Sequence, residues 1–466
     1  MNIEQIYTGC LAQGAYYIED NGEAAIIDPL RETSPYLEKL KKAGVKLKYI
    51  FETHFHADFV SGHVDLAKAT GATIIYGPTA KPGYKIHEAK DGEIFKIGNL
   101  SIEVLHTPGH TIESSTYLLK DEAGVDQAIF SGDTLFIGDV GRPDLAVKSD
   151  LTREDLAGLL YESIQTKIVP LRDEVIIYPG HGAGSACGKN MSDETVDTLG
   201  HQKESNYALR SGITKEEFIK EVTEGILPPP PYFLKNVMLN KEGYESIDKV
   251  LEKGVIPLDI GTFESIANHE GALVIDTRDK VAFAKAHIPN SLFVGLDGSF
   301  ASWVGTLVAD IQQPIIFIAE SGMEEEVVTR LARVGYDNTL GYLDGGFDAW
   351  ENAGKDVESI NTVSPLELEN IVSSGSYFTV LDIRRVGEYD ETHIENAQNL
   401  PLEYINEHMD EIDKDKTYYI HCASGYRSMI TASILKPRGF NNIVDVEGGL
   451  DAIKETGIKL TKSVNQ

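Results

Sequence analysis

The segment that decides the fold of the N-terminal region is Thr53-His54-Phe55-His56-Ala57-Asp58-Phe59-Val60-Ser61-Gly62-His63. It follows an apolar run, Lys48-Tyr49-Ile50-Phe51, that predicts a buried strand, and it precedes a predicted helix start. Alternate side chains of an extended segment lie on the same side, so we expect His54, His56 and Asp58 to converge. Two imidazoles and one carboxylate in a short loop predict a metal-binding loop.

Three further motifs each place one possible ligand after a predicted strand: Thr107-Pro108-Gly109-His110, Ser131-Gly132-Asp133-Thr134 and Tyr178-Pro179-Gly180-His181. Glycine or proline ends each of these strands next to the ligand residue. In this order the motifs resemble the metallo-beta-lactamase superfamily, and the resemblance covers about the first half of the chain. It implies an αββα sandwich with a metal site at one edge.

Position 59 bears on the number of metal ions. In the two-metal hydrolases of this superfamily the loop reads His-x-His-x-Asp-His, and the last histidine binds the second metal; here the residue is Phe59. A one-metal site would be a two-histidine, one-carboxylate triad with open positions, typical of non-heme Fe(II), built from His54, His110 and Asp133. The residues that would orient these ligands, or hold a second metal in the alternative, are His56, Asp58 and His181.

The run Gly141-Arg142-Pro143-Asp144 resembles the corresponding stretch of the persulfide dioxygenases, a branch of the same superfamily. Arg142 is expected to bind an anionic part of the substrate, because its planar donor fork suits carboxylates and phosphates. The alternative is that Arg142 pairs with Asp144 or Asp139. Cys187, in a glycine-rich loop after His181, is either a relay or redox-sensitive thiol or an ordinary packed cysteine.

Composition restricts the compartment and the partners. The chain has 466 residues, 42% of them hydrophobic and 25% charged, with a formal net charge of −31. Its length predicts about two to four domains. The acidic balance argues against nucleic acid and anionic membranes as partners, and no apolar run is long enough to span a bilayer. The three cysteines lie far apart in sequence, which fits a reducing, cytoplasmic compartment.

The remainder of the chain contains an internal repeat. Val274-Ile275-Asp276-Thr277-Arg278 parallels Val380-Leu381-Asp382-Ile383-Arg384, and each copy predicts a small doubly wound parallel sheet. Both copies resemble rhodanese domains. Four consecutive prolines, 228–231, mark the clearest boundary. The predicted organisation is a metal domain over 1–235, a connector over 236–258, an inactive rhodanese-like domain over 259–358 and an active one over 359–466.

The second copy carries the run Cys422-Ala423-Ser424-Gly425-Tyr426-Arg427-Ser428 between a predicted strand and a helix. It resembles the rhodanese active-site loop. Backbone N–H groups at the helix start and the positive charge of Arg427 favour a thiolate or persulfide anion at Cys422, which makes that cysteine a nucleophile. The first copy has Ala319 and Glu324 at these positions, so we expect it to be inert in sulfur transfer and to have a structural role.

Together the two resemblances imply a persulfide dioxygenase fused to tandem rhodanese domains. Its N-terminal domain would use one Fe(II) ion per chain and O₂ to oxidise a low-molecular-weight thiol persulfide to sulfite. Cys422 would pass sulfane sulfur to sulfite and give thiosulfate. The alternative is a binuclear zinc thioester hydrolase of the glyoxalase II type that carries a sulfurtransferase. We expect a homo-oligomer, and the sequence leaves the identity of the thiol open.

Overall fold

The computed structural model describes residues 1–147, 151–374 and 379–463. The chain forms two compact units. The first comprises Met1–Lys249 and Leu331–Tyr336, and the second comprises Val250–Arg330 and Asp337–Gln466.

Two six-stranded sheets build the first unit. The first sheet runs in sequence order and contains β1 (Asn2–Thr8), β2 (Gln13–Asp20), β3 (Glu23–Ile27), β4 (Lys46–Glu52), β5 (Thr73–Tyr76) and β6 (His87–Glu88). The second contains β7 (Ile94–Ile97), β8 (Leu100–His106), β9 (Ser115–Lys120), β10 (Asp126–Gly132), β11 (Ile176–Pro179) and β12 (Asp197–Thr198).

Side-chain alternation along the strands shows that helices cover both sheets. In β2, Tyr16 and Ile18 pack into a core shared with the second sheet, whereas Ala15 and Tyr17 pack on the opposite side with residues of the first helices. The outer face of the second sheet has its own core. The layers therefore run helix, sheet, sheet, helix, which confirms the αββα expectation.

The helices of this unit are α1 (Ser34–Ala43), α2 (His63–Thr70), α3 (Arg153–Ser163), α4 (Leu199–Ser205), α5 (Lys215–Thr223) and α6 (Phe233–Glu242). A π-helical turn, Ile164–Ile168, extends α3, and a 3₁₀ turn covers Tyr207–Leu209. Helices α3 and α5 each begin with a capping box, in which Thr152 and Thr214 bond the backbone N–H three residues later. Helix α7 (Ile247–Gly254) extends from the first unit into the second.

Two five-stranded parallel sheets form the second unit. The first has the order β13-β17-β16-β14-β15, with β13 (Pro257–Leu258), β14 (Leu273–Asp276), β15 (Leu292–Phe293), β16 (Ile315–Ile318) and β17 (Thr339–Leu343). The second has the equivalent order β18-β23-β22-β19-β21, with β18 (Asn361–Val363), β19 (Thr379–Asp382), β21 (Gln398–Asn399), β22 (Tyr418–His421) and β23 (Ile443–Val446). A separate pair joins β20 (His393–Ile394) to β24 (Leu460–Thr461). The matching orders confirm the repeat.

The helices of the second unit are α8 (Ile260–His269), α9 (Lys280–Lys285), α10 (Phe300–Leu307), α11 (Glu324–Arg333, whose last turn belongs to the first unit), α12 (Gly346–Asn352), α13 (Pro365–Ser373), α14 (Val386–Glu391), α15 (Tyr426–Leu435) and α16 (Gly449–Ile453). Short 3₁₀ turns cover Leu402–Tyr404, Met409–Glu411 and Lys436–Arg438. No helix among the described residues has the length and apolar character needed to cross a bilayer.

The predicted connector, 236–258, is largely helical. It contains most of α6 and all of α7, and the first compact unit continues past the four prolines to Lys249. The reason is a hydrogen-bonded attachment: Asn240 on α6 is fully buried and binds the backbone of the loop that carries His54.

Candidate functional site

The ends of four strands, β4, β8, β10 and β11, carry the candidate metal ligands of the first unit. The loops after these strands contain His54, His110, Asp133 and His181. Gly132 has a φ of +51°, and a Cβ atom there would lie 2.6 Å from the Thr53 side chain. Glycine at this position lets the loops after β4 and β10 approach each other closely.

The structure brings His54, His110 and Asp133 into one buried cluster, with one ligand atom of each residue within 4.8 Å of the others. The Oδ2 atom of Asp133 lies 3.9 Å from His54 Nε2 and 3.4 Å from His110 Nε2. None of these three buried atoms has a hydrogen-bond partner. Because buried polar atoms rarely stay unpaired, three that meet at one point fit a bound metal ion.

Neighbouring groups fix the orientation of the His54 ring. Its Nδ1 atom lies 3.0 Å from Thr53 Oγ1, and that hydroxyl donates to Asp28 Oδ2 at 2.8 Å. The Thr53 oxygen therefore accepts from Nδ1–H and leaves the Nε2 lone pair for a metal. Burial, followed by the nearby His56, lowers the pKa of His54 well below its ordinary value. The neutral form is the one that binds metals.

The other two members of the cluster are oriented in the same way. His110 Nδ1–H donates to the carbonyl oxygen of Arg142 at 2.9 Å. His181 Nδ1 lies 2.8 Å from Asp133 Oδ1, which leaves Oδ2 directed at the cluster. Burial alone would raise the pKa of Asp133, but His181, His54 and His110 outweigh burial and hold that pKa well below its usual range. Such supporting contacts are typical of metal ligands.

A second buried cluster contains Asp58, His181 and Cys187. Asp58 Oδ2 lies 2.6 Å from His181 Nε2. Burial lowers the pKa of His181, but Asp133 and Asp58 outweigh it and raise that pKa to about 10. Burial raises the pKa of the Cys187 thiol. The sequence did not predict that Cys187 would lie beside Asp58.

His56 lies beside His54, with ring centroids 4.2 Å apart, but its Nε2 atom belongs to a third group. His56 Nε2 lies 3.1 Å from Asp28 Oδ1 and 3.5 Å from Glu52 Oε2, and all three side chains are buried. The loop is bent rather than extended. The side chain of Asn240 imposes this bend by donating to the carbonyl oxygens of His56 and Phe59.

Burial and the neighbouring carboxyl groups determine the pKa of His56 in this third group. Burial lowers the pKa of His56, but Asp28 and Glu52 outweigh it and raise that pKa well above its ordinary value. Burial raises the pKa of Glu52. Phe59, which is fully buried, packs its ring 4.3 Å from the His56 ring.

Arg142 is buried and paired. Its guanidinium donates twice to Asp144, at 2.6 and 2.7 Å, and also donates to the carbonyl oxygens of Ala186 and Leu227. Of the two alternatives for this residue, pairing with Asp144 is the arrangement present in the structure. A role in substrate binding would require part of this network to open, and it remains a prediction.

In the second unit, Cys422 follows β22 and lies in the turn before α15. The backbone N–H of Gly425 donates to Cys422 Sγ at 3.1 Å, and Ser428 Oγ lies 3.8 Å from the same sulfur. Gly425 has a φ of +92°, which the tight turn requires. The thiol therefore lies within a loop whose N–H groups and helix start stabilise negative charge on sulfur.

Arg427 does not point freely into solvent. Its two terminal nitrogens donate to the Glu388 carboxylate at 2.6 and 2.7 Å, a bidentate pair that is partly buried. The first copy lacks both groups: Ala319 follows β16, and α11 begins with Glu324. The described residues of this loop thus carry neither thiol nor cation.

Comparison with known proteins assigns each region. Residues 8–181 match the family model of the metallo-beta-lactamase superfamily, and residues 261–353 and 364–456 match that of the rhodanese-like domain. The chain is 30% identical over 234 residues to hydroxyacylglutathione hydrolase GloC of Haemophilus influenzae, covering 45% of this chain and 99% of that protein. It is also 30% identical over 213 residues to the human mitochondrial persulfide dioxygenase ETHE1, covering 45% of this chain and 75% of that protein.

One solved structure extends the likeness beyond the first unit. A crystal structure of a metallo-beta-lactamase from Staphylococcus aureus is similar with a TM-score of 0.65 and 32% sequence identity, covering 74% of this chain and 98% of that chain. The chain therefore belongs to the metallo-beta-lactamase superfamily and carries two rhodanese-like domains after its N-terminal domain.

Proposed function

We propose that this chain oxidises low-molecular-weight thiol persulfides with O₂ in its N-terminal domain and transfers sulfane sulfur through Cys422 in its last domain. The observation that carries the first half is the convergence of three unpartnered buried atoms: His54 Nε2, His110 Nε2 and Asp133 Oδ2. Two imidazoles and one carboxylate form the triad typical of non-heme Fe(II) sites. A bound Fe(II) would supply open coordination positions for substrate and O₂, and the electrons that reduce O₂ would come from the persulfide sulfur.

The protein groups around this triad have separate tasks. Thr53 and the Arg142 carbonyl hold the two imidazoles in the tautomer that presents Nε2, and His181 holds Asp133. His56 is bound to Asp28 and Glu52 rather than to the triad. This arrangement favours one metal ion, because the loop then contributes a single histidine to the metal.

The reaction is balanced as R–S–SH + O₂ + H₂O giving R–SH, sulfite and two protons. Cys422 then attacks the outer sulfur of another persulfide; the sulfur–sulfur bond breaks and the thiol leaves as its thiolate. Sulfite attacks that outer sulfur, and the electron pair of the breaking bond returns to Cys422 Sγ. Thiosulfate leaves, and no outside oxidant is needed. The loop N–H groups and Arg427 stabilise the anionic sulfur throughout.

A second candidate is a binuclear zinc thioester hydrolase, and one observation favours it. Asp58, His181 and Cys187 offer one carboxylate, one imidazole and one thiol within 4.8 Å, a donor set that suits zinc. The similarity to hydroxyacylglutathione hydrolase GloC is consistent with this candidate. Against it stands Phe59, at the position where a second-metal histidine would be found.

Metal analysis of the purified full chain separates the two candidates. If the chain is a dioxygenase, we expect about one iron per chain; His110→Ala should lose this iron and Cys187→Ser should keep it. If the chain is a hydrolase, we expect two zinc ions per chain and hydrolysis of a glutathione thioester, and Cys187→Ser should lose one of the zinc ions. The matched control is His201→Ala, at an exposed histidine that pairs with Asp197.

A further inference from the structure

The first rhodanese-like copy reaches the active-site loop of the second through Lys280, the first residue of α9. Lys280 Nζ donates to the carbonyl oxygen of Ser424 at 2.5 Å. Nζ also lies close to Gly425, because a Cβ atom built there would be 3.4 Å from it. Gly425 N–H donates to Cys422 Sγ, so the ammonium group is near the residue that binds the sulfur.

The contact is part of a fixed surface between the copies. Tyr426 Oη donates to the carbonyl oxygen of Gly295 at 2.6 Å, and the Tyr426 ring packs against Phe293. Phe293 N–H donates to Ser433 Oγ on α15 at 3.0 Å. The start of α15 is therefore anchored to the first copy, and α9, which carries Lys280, also contacts α15.

Charge compensation distinguishes Lys280 from Arg427 and Arg384 of the second copy. Arg427 is paired with Glu388, and Arg384 is paired with Asp382 at 2.6 Å. Lys280 forms no ion pair with any residue that the structure describes, and its bonded partner is a neutral carbonyl. In a chain of net charge −31, a sulfur oxyanion needs a local cation, and Lys280 is a cation at the loop that is not held in an ion pair, although it interacts electrostatically with the buried Asp445 carboxyl.

We infer that Lys280 is a substrate-binding residue of the Cys422 site and binds the oxyanion end of sulfite or thiosulfate. The inference rests on the proposed sulfur transfer and gives the inert copy a part in it. The ammonium contacts sulfite oxygens while the sulfite sulfur attacks the outer sulfur held on Cys422. The lysine takes no part in bond making, so its removal weakens acceptor binding and leaves the chemical step intact.

The kinetic test measures thiosulfate formation from glutathione persulfide and sulfite by the full chain without O₂. Lys280→Met keeps the length of the side chain and removes its charge. We expect the KM for sulfite to rise about tenfold with kcat within about twofold, and Lys280→Arg to restore KM. The matched control is Lys285→Met, at the exposed end of the same helix. An unchanged KM for sulfite in Lys280→Met overturns the inference.

A chemical test measures the effect of the Lys280 charge on Cys422 without enzyme turnover. Cys422 is alkylated in the full chain with anionic iodoacetate and with neutral iodoacetamide, and the product is measured by peptide mass spectrometry. In Lys280→Met, the rate of Cys422 alkylation by iodoacetate should fall several-fold more than the rate of alkylation by iodoacetamide. If both alkylation rates fall equally, Lys280 only shapes the loop and the inference is wrong. A wild-type chain that makes no thiosulfate refutes the proposed sulfur transfer, whereas the alkylation ratio still decides whether Lys280 provides a cation at Cys422.

Discussion

The Nε2 atom of His56 lies 3.1 Å from Asp28 Oδ1, so this imidazole has a different partner from the adjacent His54, whose ring centroid is 4.2 Å away. His54 presents its Nε2 to His110 and Asp133, whereas His56 belongs to a buried charged group with Asp28 and Glu52. The two residues are neighbours in the motif but have different partners, because the loop bends between them.

His56 is therefore expected to stabilise the fold without binding the metal. His56→Ala leaves Asp28 and Glu52 without their cation and should lower the stability of the first unit by about 3 to 5 kcal/mol. His56→Gln keeps an N–H donor and serves for the metal assay in a folded protein. We expect about one iron per chain in His56→Gln, measured by elemental analysis. Loss of iron from folded His56→Gln would show that His56 is a ligand.

Removal of a triad residue should abolish O₂ consumption and spare sulfur transfer. In His54→Ala or Asp133→Ala the metal loses one of three protein ligands, so we expect iron content to fall below about a tenth of wild type. Thiosulfate formation through Cys422 should remain, because that residue lies in the other compact unit. Oxygen-electrode and thiosulfate assays on the same preparations measure both. Retained O₂ uptake would remove these residues from the site.

The pair between Arg427 and Glu388 should make arginine irreplaceable by lysine. Arg427→Ala should slow sulfur transfer about a hundredfold, since it removes a cation near the anionic sulfur. Arg427→Lys should be little more active in sulfur transfer than Arg427→Ala, because lysine cannot form the bidentate pair with the Glu388 carboxylate. Thiosulfate assays measure this, with Arg438→Ala as the control for an arginine outside the loop. Full activity in Arg427→Lys would mean that charge alone suffices.

Asp445 should make the second unit less stable as pH rises. Burial raises the pKa of this carboxyl from its ordinary 3.8 to about 7, and Ser428 and Lys280 only partly oppose the rise. A raised pKa in the folded state contributes stability that is complete below pH 3.8 and is lost as pH rises through 7. Asp445→Asn removes this dependence.

The measurement is the unfolding transition of the second unit at pH 5 and pH 8. Relative to Asp445→Asn, wild type should lose about 2 to 3 kcal/mol between these values. The control Asp451→Asn, at an exposed position on α16, should follow wild type. A pH-independent difference between wild type and Asp445→Asn would show that Asp445 is not neutral in the folded protein at low pH.

Much of the metal site could be predicted from the sequence, because its residues follow strands whose ends meet at one edge. His54, His110, Asp133 and His181 each have this placement, and the glycines and prolines beside them mark the strand ends. The repeat gave the fold of the second unit for the same reason. Both predictions use the alternation of apolar residues and the turn residues, which are features of neighbouring positions in the sequence.

The features that the sequence could not predict depend on contacts between distant residues. The loop bend that gives His56 and His54 different partners is held by Asn240, which lies on a helix beyond the four prolines. Cys187 reaches Asp58 through a glycine-rich loop with no periodic pattern. Lys280 contacts the Cys422 loop across the repeat, and neither copy alone carries a signal for that contact.

Oxygen consumption by the iron-loaded full chain decides whether the N-terminal domain oxidises persulfides. With glutathione persulfide, coenzyme A persulfide and cysteine persulfide supplied in turn, and with Cys422→Ser to prevent sulfur transfer, we expect one O₂ consumed and one sulfite formed for each persulfide oxidised. His110→Ala should show neither. Absence of O₂ uptake with every persulfide, together with thioester hydrolysis by a chain holding two zinc ions, would contradict the dioxygenase.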